Sequence, residues 1–126
     1  MKLNVGFAGF VALAGMAVSA SGQVFSSTAV PAGISDNSLT TVDLVVAGGP
    51  ASISEVHVVV NITHTYDGDL DIVLVAPDFR YVHLTSDNGG TGENFTGTRF
   101  SQCGAQNITA GTVPYSGNFI PEGGDA

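Results

Sequence analysis

The chain has 126 residues, 44% hydrophobic and 11% charged, which is enough apolar content for one core of ordinary size and rules out a disordered polyanion. Eleven acids against three basic residues give a net charge of −8. No basic patch of the kind needed to neutralise nucleic-acid phosphates or dock on anionic lipid can be assembled from so few cations, which leaves cations, neutral ligands and protein partners.

Met1 to Gly22 opens with Lys2, continues as an apolar run from Val5 to Ala17 and ends in small residues. That order is the pattern of a secretory signal peptide, with cleavage after Ala20 or after Gly22. The competing reading is a membrane anchor, but the run falls short of the ~20 apolar residues that a spanning helix needs. The expectation is therefore a secreted protein, extracellular or periplasmic, with no membrane association once the leader is cut. Arg80 and Arg99 would then face all eleven acids, a balance of −9. Cys103 is the single cysteine, so no disulfide forms within the chain, and a partly buried, unreactive thiol is predicted.

Residues 23–34 read as an entry segment and 35–126 as the folded domain. Leu39 to Ala47 is the first strand candidate of that domain, stopped by Gly48-Gly49-Pro50. Over Ile53 to Thr65 the period is two: Val56, Val58, Val60 and Ile62 share one face, and Glu55, His57, Asn61 and Thr63 dominate the other. Leu70, Ile72 and Leu74 repeat the alternation. Pro77-Asp78 then turns the chain into a second arm, Arg80 to Thr85, which predicts a hairpin. Asp87 to Asn94 has loop composition. Shorter strands are expected at Gly97–Ser101, Gln106–Ala110 and Pro114–Ile120. No helical period occurs after the leader, so the fold class is all-β, two packed antiparallel sheets. The last residues, Pro121 to Ala126, have loop composition.

At His64-Thr65-Tyr66-Asp67-Gly68-Asp69-Leu70 the sequence resembles a known family. The run Val60 to Tyr66, then Gly68-Asp69-Leu70, Leu74-Val75-Ala76-Pro77, the glycine-rich Gly89 to Phe95, and Tyr115-Ser116-Gly117 with Phe119, Pro121 and Glu122 resemble the P domain (P/Homo B domain) of proprotein convertases. Ile34-Ser35-Asp36 is similar to that domain's opening, with Ser35 where proline is common. The resemblance runs from about Ser35 to Glu122. It implies a jelly-roll, galactose-binding-like β-sandwich that lies beside a subtilisin/kexin-like serine endopeptidase domain, stabilises and helps regulate it, and carries no catalytic residue. His64, Tyr66, Gly68, Asp69, Leu70 and Asn94 are the motif positions. The family's final, tryptophan-bearing segment has no counterpart here, where the Trp count is zero. The resemblance therefore implies a domain incomplete at its C-terminus, with an open edge that invites a strand from a partner.

Three histidines are candidates for chemistry. His57 and His83 fall on polar strand faces, and no Gly-x-Ser-x-Gly elbow occurs. His64 reads as a hydrogen-bonder bracing a strand end. Asp67, Asp69 and Asp71 would share one side of the chain if the stretch is extended, and Asp36 could join them. Calcium, which takes six to eight oxygens, is one reading of these four, and a solvated acidic edge is the other. An EF-hand fails, because its sixth position would be Ile72 and its twelfth Asp78. Acceptor sequons start at Asn61, Asn94 and Asn107. The alternative function is a secreted carbohydrate- or cell-surface-binding sandwich. Its aromatic platforms would come from Tyr66, Phe79, Tyr81 and Phe95.

Overall fold

The computed structural model describes residues 1–8, 22–49 and 51–123, and for 3–8 the backbone alone. Most of the leader's apolar run, and the bond after Ala20, lie outside those residues. Among the described residues eight strands form: β1 Lys2–Ala8, β2 Thr41–Ala47, β3 Val58–Ile62, β4 Asp71–Val75, β5 Tyr81–Ser86, β6 Phe95–Phe100, β7 Gln106–Asn107 and β8 Tyr115–Ile120. Two single-turn 3-10 helices, Asp67–Asp69 and Ile108–Ala110, are the only helical pieces among the described residues. No helix of the described residues is long and apolar enough to cross a membrane.

The strands form two four-stranded sheets, ordered β2-β1-β4-β5 and β3-β6-β8-β7. Between them lie Val60, Ile62, Leu70, Ile72, Leu84, Phe95, Phe100, Ile108, Tyr115 and Phe119, all buried. Tyr115 stacks on Phe95 with ring centroids 5.0 Å apart and meets Phe119 edge-on at 5.9 Å. The period-two reading explains which residues point inward. Val60, Ile62 and Ile72 are buried, while Val59 on the polar face is 59% exposed.

Two expectations need correction. The sheets are mixed, since β6–β8, β7–β8 and both pairings of β1 are parallel. The segment from 101 to 114 is long enough to carry the chain back to its starting end, which a parallel partner requires; only β4–β5 is the tight hairpin expected. The strand predicted over Ile53–Thr65 is also shorter. Its partner β6 pairs with it from Val58 to Ile62, and beyond that ladder Ile53 and Val56 are 52% and 48% exposed.

The tail does more than its loop composition suggests. Gly123 forms a bridge with His83, and Glu122 N–H donates to the Leu84 carbonyl at 3.2 Å, which lines the outer edge of β5. Glu122 Oε2 accepts from Ser86 N–H at 2.7 Å and from the Asn88 side-chain amide at 3.1 Å.

Candidate functional site

The motif residues gather where β3 ends. Past Ile62 the chain must leave the sheet, and Asp67-Gly68-Asp69 closes a 3-10 turn before Leu70 enters the core. The glycine-rich loop lies against this turn, with Asp67 N–H donating to the Gly92 carbonyl at 2.8 Å and Gly68 N–H to that of Gly90 at 3.0 Å. Close approach is what makes glycine necessary: a Cβ on Gly89 would lie 2.9 Å from both Asp67 Cβ and Tyr115 Cε2, and its φ is +97°.

His64 and Asn94 tie the two segments together. Asn94, in the left-handed region at φ 72°, accepts the His64 N–H through Oδ1 at 3.1 Å. His64 Nδ1 lies 2.8 Å from the Tyr66 carbonyl and 3.2 Å from the Tyr66 nitrogen. One tautomer donates to the carbonyl; the other accepts the N–H. Tyr66 and Asp69 are exposed.

Asp67 is the electrostatic centre of this region. It is 0% exposed, and neither carboxylate oxygen has a hydrogen-bond partner. Burial raises its pKa, with the nearby negative charge of Glu93 adding to the rise. The Asn94 backbone N–H, near the carboxylate but outside hydrogen-bonding geometry, and His64 oppose both effects. Tyr115 is also pushed up, first by burial and then by the Asp67 charge.

The four acids named as calcium ligands do not form one set. The extended geometry that would align Asp67, Asp69 and Asp71 is replaced by the 3-10 turn, so Asp67 points inward while Asp69 and Asp71 are exposed. Asp71 Oδ1 accepts the Ser86 hydroxyl, and Asp36 is exposed in the turn at 36–37. Among the described residues no group of three or more His, Cys, Asp or Glu side chains is arranged to hold a metal ion.

A second cluster was not legible in the sequence. His57 Nε2 lies 2.6 Å from Glu55 Oε1 while Nδ1 faces the Arg99 guanidinium, so the ring donates to the acid and accepts from the arginine. The hydrogen bond to His57 lowers the Glu55 pKa, and Cys103 also donates toward that carboxylate. The placement of Glu55 and His57 on one face was readable from period two; the arrival of Arg99 depends on the β3–β6 register, where it pairs with Val59. Cys103 is exposed, contrary to the partly buried thiol predicted, because it sits in the turn after β6.

Of the four aromatic platforms considered, Phe95 is removed, since it is a core residue 1% exposed. Phe79 at the tip of the β4–β5 hairpin is 85% exposed. The sequon asparagines have local partners: Asn61 Oδ1 accepts Gly97 N–H at 2.8 Å, and Asn107 Oδ1 accepts Thr109 N–H at 3.0 Å. An apolar groove opens between the sheets, lined by Ile53, Val56, Val58, Leu74, Val82 and Leu84 among others.

Residues 53–113 match the family model of the proprotein convertase P-domain. No curated protein and no solved structure matches the chain.

Proposed function

From the premise that residues 53–113 belong to the proprotein convertase P-domain family, we propose that this chain is a secreted, non-catalytic accessory module. It packs against a subtilisin-like serine protease domain and stabilises it. The observation that carries the reading is that the matched segment contributes strands to both sheets, β4 and β5 to one and β3, β6 and β7 to the other, together with the His64–Asn94 brace that ties the end of β3 to the loop before β6. Among the described residues, no histidine is hydrogen-bonded to a hydroxyl or thiol, the first requirement of a nucleophilic site.

The surface we assign to the protease contact is the groove that leaves Ile53, Val56 and Val82 partly exposed. Apolar area of this kind gains from being covered. The test is the autolysis half-life and melting temperature of a subtilisin-like protease domain with and without the chain. Both are expected to rise, and Val56→Asp with Val82→Asp should remove the effect. An unchanged half-life at saturating chain would sink the proposal. Exposed Tyr66, Phe79 and Tyr81 favour carbohydrate or cell-surface binding as the second reading, which a glycan array without hits would dismiss.

A further inference from the structure

The strand that completes the first sheet comes from the segment read as a leader. β1 runs between β2 and β4, parallel to both, in register from Lys2↔Thr41 to Ala8↔Ala47 on one side and from Lys2↔Val73 to Asn4↔Val75 on the other. Its entry is anchored by three contacts: Met1 amine to the Asp71 carbonyl at 2.7 Å, Val73 N–H to the Met1 carbonyl at 3.2 Å, and Lys2 N–H to the Thr40 carbonyl at 2.7 Å. The flanking strands are apolar on both sides of it, with Val42, Val46, Val73 and Val75 all buried. The same residues open the segment whose lysine, apolar run and small-residue end mark it as a leader.

We propose that removal of the leader opens a strand-acceptor slot between β2 and β4, and that an extended segment of a partner polypeptide then fills it in trans, parallel to both walls. The inference rests on the secretory reading proposed above. Removal is hydrolysis of the bond after Ala20 or Gly22: it consumes one water and leaves a carboxylate on the leader and an amine on Ser21 or Gln23. The slot then exposes backbone donors and acceptors on two strands at once, a stronger demand for pairing than one free edge makes. Main-chain bonds to both walls supply affinity, and the alternation of large apolar Leu3, Val5 and Phe7 with Lys2, Asn4, Gly6 and Ala8 gives the chemistry of the occupant: seven extended residues, large and apolar at every second position with polar or small residues between, without proline. A second copy of the cut chain is a poor donor, because its β2–β8 are already committed to two sheets.

The experiment uses the whole chain with a specific protease site inserted between Gly22 and Gln23, folded first and nicked afterwards. A fluorescein-labelled peptide of residues 2–8 is added and followed by anisotropy, with hydrogen exchange read at Thr41–Ala47 and Val73–Val75. The expected result is saturable binding to the nicked chain and none to the intact one. Exchange at both walls should quicken on nicking and be slowed again by the peptide, and a Val5→Pro peptide should bind roughly tenfold more weakly or worse. If the nicked chain unfolds, recovery of structure on adding the peptide supports the slot, and failure to recover overturns it. Equal binding to intact and nicked chain, unchanged exchange at both walls, or a dimer that excludes the peptide also overturns it. The intact mass of the exported protein tests the leader reading separately, so the two can fail independently.

Discussion

At the scale of single residues, Asp67 and Asn94 set the terms. A buried carboxylate without hydrogen bonds resists ionisation. Its folded-state pKa is raised, so its contribution to stability is fully present below the ordinary value of 3.8 and is lost as pH rises through the higher folded value. Asp67→Asn removes the charge while keeping the shape. It is expected to stabilise the fold at pH 7 by roughly 1–3 kcal/mol, with the gain shrinking toward zero in urea melts near pH 3.8. A variant less stable than the parent at pH 7 would show that the carboxylate has a partner there, and a calcium-dependent rise in melting temperature lost in the variant would identify one. Asn94 combines a hydrogen bond with a left-handed backbone, and two substitutions separate them. Asn94→Gly keeps the conformation and loses the bond, costing about 1 kcal/mol. Asn94→Ala should cost about 1–2 kcal/mol more, the penalty of placing an ordinary residue at positive φ. Equal losses by calorimetry would mean that the backbone geometry contributes nothing.

Among the elements, what could be read from the sequence was whatever depends on period and punctuation. The inward faces of β3 and β4, the Pro77-Asp78 hairpin and the loop at Asp87–Asn94 all follow from residues close in sequence. Parallel pairing did not, because no local pattern tells β8 to lie beside β6 in the same direction. The inward turn of Asp67 was hidden for the same reason: three alternating acids look extended until the Gly89–Gly92 loop offers carbonyls that a 3-10 turn can meet. Cys103 was misjudged because its exposure is set by a turn, and Arg99 was missed because its meeting with His57 is set by register. Glycine usage shows the same division. A Cβ on Gly104 would run into the backbone of Phe119 and Ile120 on β8, whereas Gly97 at φ 58° has open space around it. Gly104→Ala is therefore expected to cost about 3 kcal/mol or more by overpacking, and Gly97→Ala only about 1–2 kcal/mol by conformation. Denaturant midpoints of the two variants check the order, and a reversal would mean that the chain around Gly104 yields more readily than its close approach to the β8 backbone allows.

For the molecule as a whole, the acid excess is unevenly spread. Asp71 is bonded to the Ser86 hydroxyl, Glu122 to the Ser86 and Asn88 nitrogens, and Asp87 N–H to the Leu70 carbonyl, which collects these acids with Asp69 at the end of the sandwich reached by the 3-10 turn and the glycine-rich loop. Glu93 adds to it through its proximity to Asp67. The arginines lie elsewhere, Arg80 paired with Asp78 at the hairpin and Arg99 with His57, and the Met1 amine that donates to the Asp71 carbonyl departs with the leader on the secretory reading. A one-signed end of this kind projects its field about 10 Å at 0.1 M salt and draws in a basic surface faster than an uncharged one. If a protease domain is the partner, its approach should be steered by this end even though the apolar groove makes the contact. The association rate, measured by stopped flow, is then expected to fall several-fold between 50 mM and 500 mM salt, with dissociation little changed. Asp69→Asn, Asp87→Asn and Glu93→Gln combined should flatten that dependence while leaving the melting temperature of the chain within a few degrees of the parent, since exposed charges contribute little to folding. A salt-independent association rate in the parent would place the encounter on the uncharged faces alone and remove any role for the acidic end in finding the partner.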